Sequence, residues 1–192
     1  MSGRFDPRRL AALDNPLRRL IGRPKGTLRS LGLRRGDAFV DFGAGSGFFS
    51  LPAAEIVGSE GRVLALDIAP EAVGLIERKS RERGIRNLRA ILSTEDSLGL
   101  PEGEASFALM SLVLHEVEDK ASLLESLRDA LGGGGRIAII EFRPGALFGP
   151  PQRERIPEGK MLALLAKADF ERPSVRGWRG MFYVATATKG PV

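Results

Sequence analysis

The heptapeptide DFGAGSG, Asp41–Gly47, constrains this chain more than any other stretch. It begins inside the apolar run AFVDF, Ala38–Phe42, and leads into FFSLPAAEIV, which can form a helix with Pro52 within its first turns. Glycines between a strand and a helix allow a tight turn and a close approach of ligand to backbone, in the crevice at the carboxyl ends of parallel strands. RVLALD, Arg62–Asp67, reads as a second strand, and its terminal acid stands where a carboxylate can accept both hydroxyls of a ribose. Strand, glycine loop, helix, strand and acid in this order predict a cofactor held by Gly43, Ala44, Gly45, Gly47 and Asp67. The alternative is a turn that is glycine-rich for structural reasons, with Asp67 capping the following helix.

The alternation continues. Pro70 opens a helix with Ala72, Val73 and Ile76 at helical spacing and Gly84 as its stop, followed by a strand LRAIL, Leu88–Leu92. FALMSLVLHEV reads as a central strand buried on both faces and ending near His115. Leu123, Leu124, Leu127 and Leu131 mark a helix that Gly132 to Gly135 should terminate, before a fifth strand RIAIIEF. RPGALFGPPQRERIP is too long for a minimal connection and is a candidate substrate-facing loop. A final helix around Met161, Leu164, Leu165 and Ala168 precedes two strands, near Pro173 to Arg176 and Met181 to Thr188, close enough to form a hairpin. The prediction is a doubly wound α/β domain, helices on both faces of the sheet, spanning 36–192 and preceded by a basic helical segment, 1–35.

Composition narrows the chemistry. At 43% hydrophobic and 28% charged residues the chain is neither disordered nor fibrous. Without cysteine there are no disulfides, thiolate nucleophiles or cysteine zinc sites, and the single His115 cannot build a histidine metal site, so no metal is expected. No apolar stretch is long enough for a bilayer and the N-terminus lacks a signal-peptide core, which predicts a cytoplasmic protein. The formal charge of +5 is concentrated: ten basic residues and two acids lie between Met1 and Gly36. A solvated arginine-rich face is one reading; an arm attracting an anionic small-molecule substrate is the other, with nucleic acid the less favoured target.

On DFGAGSG, Asp67 and the order of elements, the chain resembles the class I S-adenosylmethionine-dependent methyltransferases from about Phe5 to Lys189. HEVEDK, GGRIAIIEF and the FGPP…RIP loop are similar to the branch of ubiquinone/menaquinone and arsenite methyltransferases and their small relatives. The resemblance implies a Rossmann-like, mostly parallel seven-stranded sheet of order three-two-one-four-five-seven-six with S-adenosylmethionine as cofactor. It further implies that Asp41 helps hold the amino-acid end, that Ile68 packs on adenine, and that Ser93 to Asp96, with Glu95 and Asp96 foremost, meet the adenine edge; Ser111 is counted with the cofactor contacts. Family members commonly carry Asp where this chain has Ala108, and the absence of cysteine speaks against arsenite as acceptor.

Methyl transfer from a sulfonium is an in-line displacement on an activated carbon, so positioning supplies much of the rate. His115 is the candidate base for an acceptor with an acidic group, against a histidine that only hydrogen-bonds a loop. Glu116, Glu118 and Asp119 should include a helix cap, Glu141 is either a substrate contact or a surface acid, and Trp178 and Tyr183 are expected to pack. The competing functions are a nicotinamide-dependent oxidoreductase, and an RNA-directed methyltransferase or binding module using the basic N-terminus. The oligomeric state is not predicted.

Overall fold

A computed structural model of the chain describes residues 23–94 and 97–191. They form two compact units that divide after Ser93. Numbered in chain order, the strands of the seven-stranded sheet lie in the order three-two-one-four-five-seven-six, as the resemblance implied.

The first unit contains helix α1 (Pro24–Ser30), strand β1 (Ala38–Phe42), helix α2 (Ser50–Val57), strand β2 (Arg62–Asp67), helix α3 (Pro70–Glu82) and strand β3 (Leu88–Leu92). β1 and β2 run parallel with Asp41 opposite Ala65, and β2 and β3 run parallel with Asp67 opposite Leu92. Phe39, Val40 and Val63 to Leu66 are buried, the continuous burial expected of strands covered on both faces. α3 starts with Pro70 in its first turn, buries Ala72, Ile76 and Ser80 at intervals of four, and stops before Gly84 at φ +64°.

The second unit contains β4 (Ala105–Ser111), a 3₁₀ turn (Leu114–Glu116), helix α4 (Lys120–Ala130), β5 (Leu131–Phe142), a second 3₁₀ turn (Gln152–Glu154), helix α5 (Glu158–Lys167), β6 (Glu171–Trp178) and β7 (Phe182–Thr188). β4 and β5 are parallel, whereas β5–β7 and β6–β7 are antiparallel, so the expected C-terminal hairpin is present. Asp119 caps α4, its Oδ1 accepting the Ala121 and Ser122 amides at 3.1 and 3.0 Å. Leu123, Leu124 and Leu127 are fully buried beneath that helix, each contributing about 1.5–3 kcal/mol of apolar burial. β6 carries Pro173 and a register shift between Glu171 and Ser174, devices that discourage a further strand from pairing.

Two boundaries differ from the sequence reading. β4 ends at Ser111, not near His115: Leu112 has φ +59°, a left-handed conformation that breaks the extended run, and the chain then makes the 3₁₀ turn containing His115. The four glycines lie within the span of β5 instead of ending α4. There the pairing of β4 with β5 shifts between Ala105 and Phe107, and the Gly134 amide donates to the Lys189 carbonyl at 3.1 Å.

Candidate functional site

In the first unit the loop after β1 turns on three glycines with positive φ, Gly43 (+71°), Gly45 (+55°) and Gly47 (+77°). The Leu66 carbonyl accepts both the Gly43 and Ala44 amides, at 2.9 and 3.0 Å, which ties the loop to the end of β2. Asp67, 6% exposed, completes the tie: Oδ2 accepts the Gly45 amide at 2.7 Å and Oδ1 the Ala69 amide at 2.9 Å. Asp67 thus ties the loop structurally, although it does not cap the following helix, whose N-cap is Ala69 with no side-chain capping bond. The tie and the cofactor role are compatible, because each carboxylate oxygen keeps a second acceptor position.

Around this loop the expected residues have distinct surroundings. Asp41 is buried and accepts the Ser50 hydroxyl. Ala44 puts its methyl into a cluster with Ala65 and Ile76, so only its backbone can face a ligand. A Cβ on Gly47 would lie 3.2 Å from Leu51 and 3.3 Å from Ile76, so its lack of a side chain serves the packing of the loop on α2 and α3. Ile68 is 47% exposed at the end of β2 and Leu92 56% exposed at the end of β3, two large apolar side chains left in water where their strands end. Ser93 is buried, its amide donates to the Asp67 carbonyl at 3.0 Å, and its Oγ has no hydrogen-bond partner among the described residues. A buried hydroxyl in that condition calls for a polar partner. Glu95 and Asp96 lie outside the described residues.

These features fit an adenosyl group: an oriented carboxylate with spare acceptor capacity for a diol, apolar surface for a base, and an orphan hydroxyl beside them. Lys79, Ser50 and Leu92 escaped the sequence reading. Lys79 donates from α3 to the Ser46 carbonyl at 3.0 Å, clamping the loop from a distance of 33 residues.

The second unit gathers a different set. Ser111 closes β4 opposite Ile140, and the Leu112 amide donates to the Ile140 carbonyl at 2.9 Å. The turn that follows delivers His115 to Glu141 on β5. Nδ1 lies 3.1 and 2.9 Å from the two carboxylate oxygens, and the His115 amide donates to Oε1 at 3.1 Å. The His115 side chain is 6% exposed and that of Glu141 1%, so Glu141 is not a surface acid. The His115 ring stands edge-on to Phe142, with centroids 6.2 Å apart. Burial opposes the charged imidazolium, but the hydrogen bond to Glu141 and the charges of Glu141, Glu116 and Glu154 outweigh it, so the pKa is raised above 6.5.

Tyr183 sits opposite Glu141 in the β5–β7 register and donates its hydroxyl to the Ile156 carbonyl at 2.9 Å. Burial, followed by the charges of Glu141 and Glu158, pushes its pKa up, so the phenol stays protonated. The connection 143–157 is wound around Arg155, whose guanidinium donates to the carbonyls of Ala146 (2.6 Å), Pro144 (2.8 Å) and Pro150 (2.9 Å). Leu147 and Phe148 at its tip are exposed. Arg143, Pro144, Gly145, Glu158 and Gly180 line a hollow of about 360 Å³, with Arg143 Nε 3.3 Å from Glu158. Trp178 and Tyr183 are both buried, as expected of packing residues, and Arg176 lies 4.7 Å over the Trp178 ring. Among the described residues no group of three or more His, Asp or Glu could hold a metal, and no helix is long and apolar enough to cross a membrane.

Comparison with known proteins adds an independent line. A family model described as a methyltransferase domain matches residues 33–170. Aklanonic acid methyltransferase from a Streptomyces species is 34% identical over 120 residues, which cover 61% of this chain and 54% of that one. The ubiquinone/menaquinone biosynthesis C-methyltransferase of Francisella philomiragia is 29% identical over 119 residues, covering 62% and 48%. The chain therefore spans about half the length of the curated relatives it matches. The crystal structure of an S-adenosylmethionine-dependent methyltransferase from Aquifex aeolicus superposes with a TM-score of 0.89 at 28% identity, covering 97% of this chain and all of that one.

Proposed function

The chain belongs to the methyltransferase-domain family, with S-adenosylmethionine as its cofactor, and from that premise we propose that it methylates a small-molecule acceptor with His115 as the base. One observation carries the cofactor half: the glycine loop is closed by Asp67 through Gly45, with Ile68, Leu92 and the unpartnered Ser93 hydroxyl at the ends of β2 and β3. Asp67 would hold the ribose hydroxyls, Ile68 and Leu92 would cover the base, and Ser93 would bond a polar edge of it. Asp41, held by Ser50, would orient the amino-acid end.

When bound, the cofactor supplies a methyl carbon already activated by the sulfonium. The protein's own task is to align the acceptor and, where the nucleophile is protonated, to take its proton. His115 is the candidate for that task because the Glu141 contact occupies Nδ1 and leaves Nε2 for an acceptor. Arg143 and Glu158, ion-paired in the lining of the hollow, give it a polar wall suited to a polar acceptor. The cytoplasmic setting belongs to the same proposal. So does the reading of the basic N-terminal segment, 1–35, as an arm over the acceptor side that acts as a lid, although its residues 1–22 lie outside the described residues.

Calorimetry with S-adenosylhomocysteine and with NADH tests the reading. Binding of S-adenosylhomocysteine alone supports it; binding of NADH alone would mean a nicotinamide-dependent oxidoreductase. A product assay with labelled S-adenosylmethionine across metabolite pools then identifies the acceptor.

A further inference from the structure

Glu141 stands near the end of the apolar strand segment GGRIAIIEF, and it makes more polar contacts with His115 than any solvated acid would need. Its Oε1 accepts the His115 backbone amide at 3.1 Å, both oxygens face Nδ1, and Oε2 also accepts the Phe142 amide at 3.3 Å. One carboxylate therefore fixes the backbone of the 3₁₀ turn and the ring it carries. A carboxylate can only accept, so in the neutral ring the proton must sit on Nδ1 and the lone pair on Nε2. A free neutral imidazole has no such constraint. The left-handed Leu112 supplies the sharp exit from β4 that brings the turn to β5, and Phe142 packs against the ring in a T-shaped pair.

We propose that Glu141 is a positioning residue for His115, holding it as an Nε2 base, and that the acceptor is therefore a protonated nucleophile, a hydroxyl or the acidified carbon of a phenol or enol. The inference rests on the assignment of His115 as base and deepens it. A sulfide or tertiary amine has a free lone pair and no proton to lose, so a buried acid devoted to one tautomer would serve no purpose for such an acceptor. In the step itself an acceptor electron pair forms the bond to the methyl carbon while the sulfur–carbon pair returns to sulfur. The acceptor proton passes to Nε2 and afterwards to water. The Glu141 carboxylate keeps its hold on Nδ1 throughout and stabilises the imidazolium. The other charges facing the ring are Glu116, 3.8 Å from Nε2, and Glu154 from the loop 143–157; Tyr183, opposite Glu141, stays neutral.

His115 is the chain's single histidine, so imidazole nitrogen resonances of the ¹⁵N-histidine-labelled protein belong to it without assignment. The expected spectrum at high pH is that of the Nδ1–H tautomer, titrating above 6.5. Glu141→Gln keeps an oxygen for the two His115 donors, gives up the acceptor of the Phe142 amide and removes the charge. It should retain the tautomer, lower the His115 pKa, move the acidic limb of kcat to lower pH, and reduce the plateau on the order of 10-fold to 100-fold. S-adenosylhomocysteine affinity should be unchanged, since a merely structural loss would disturb folding and binding together. An Nε2–H tautomer in the unmodified protein overturns the proposal before any variant is made, and so does a Glu141→Gln limb that stays in place. Full activity of His115→Ala would sink the base assignment beneath it, whatever the spectra show.

Discussion

Asp67 reaches back across the first strand-to-helix connection to the amide of Gly45, 2.7 Å away, and so carries the shape of the cofactor loop as well as its charge. A substitution here is therefore expected to act twice. Asp67→Asn leaves one oxygen for two backbone amide donors and turns a donating carboxamide NH2 toward the other. Affinity for S-adenosylhomocysteine should fall by about 1.5–3 kcal/mol, the scale of hydrogen bonds to a charged group. Loop amides, Gly45 foremost, should lose protection from hydrogen exchange. Unchanged affinity in a folded variant would leave Asp67 as a loop tie alone.

Gly45 and Gly47 separate binding from packing. Gly45→Val places a β-branched residue at φ +55°, in the loop that must approach the ligand, and calorimetry should find cofactor binding lost with a modest fall in melting temperature. Gly47→Ala combines φ +77° with a Cβ against Leu51 and Ile76. It should cost stability of about 1–2 kcal/mol, read by denaturant unfolding, with a smaller effect on affinity. Equal effects of both variants on affinity would mean the loop acts as one unit.

The His115–Glu141 pair predicts a pH-dependent share of stability. A histidine whose folded pKa lies above its unfolded value contributes stability that is fully present below about 6.5 and is lost as pH rises through the folded pKa. Glu141→Gln removes the partner charge, so the variant should be destabilised more at pH 5.5 than at pH 9. Taking the difference from the unmodified protein cancels the carboxylates common to both. A difference that stays flat or grows with pH contradicts the pair.

The first two parallel strands were legible because burial on both faces leaves near-continuous apolar runs, and the edge strand Leu88–Leu92 because of its short run of branched residues between polar stretches; all three match their predicted bounds. The same signal misled at Ser111. Leu112, Val113 and Leu114 prolong the apolar run, but hydrophobicity alone does not reveal that Leu112 turns left-handed. Gly132 to Gly135 look like a helix stop, yet glycine backbone also serves a strand, and here it falls within β5. The cofactor loop was readable because its glycines and acid occupy a fixed order. The Glu141 partnership was not, since it joins residues 26 apart with no local pattern, and neither was the Lys79 clamp on Ser46.

Arg155 is the last residue whose role emerges only in three dimensions. Its guanidinium holds the carbonyls of Pro144, Ala146 and Pro150, and Tyr183 holds that of Ile156 next to it, so the loop 143–157 owes its shape to side chains that bind its backbone. These carbonyls diverge around a planar fork, and the point charge of a lysine cannot reach all of them. Arg155→Ala should leave S-adenosylhomocysteine affinity intact, because the guanidinium holds only carbonyls of the loop 143–157, none of them among the residues assigned to the cofactor. It should also make 143–157 the first segment nicked by limited proteolysis. If the loop forms the acceptor wall, as its lining of the hollow through Arg143 to Gly145 suggests, KM for the acceptor rises several-fold. Arg155→Lys should then resemble the alanine variant more than the unmodified protein. An Arg155→Ala protein that resists proteolysis in this segment and keeps its acceptor KM would show that the loop holds its shape without the guanidinium.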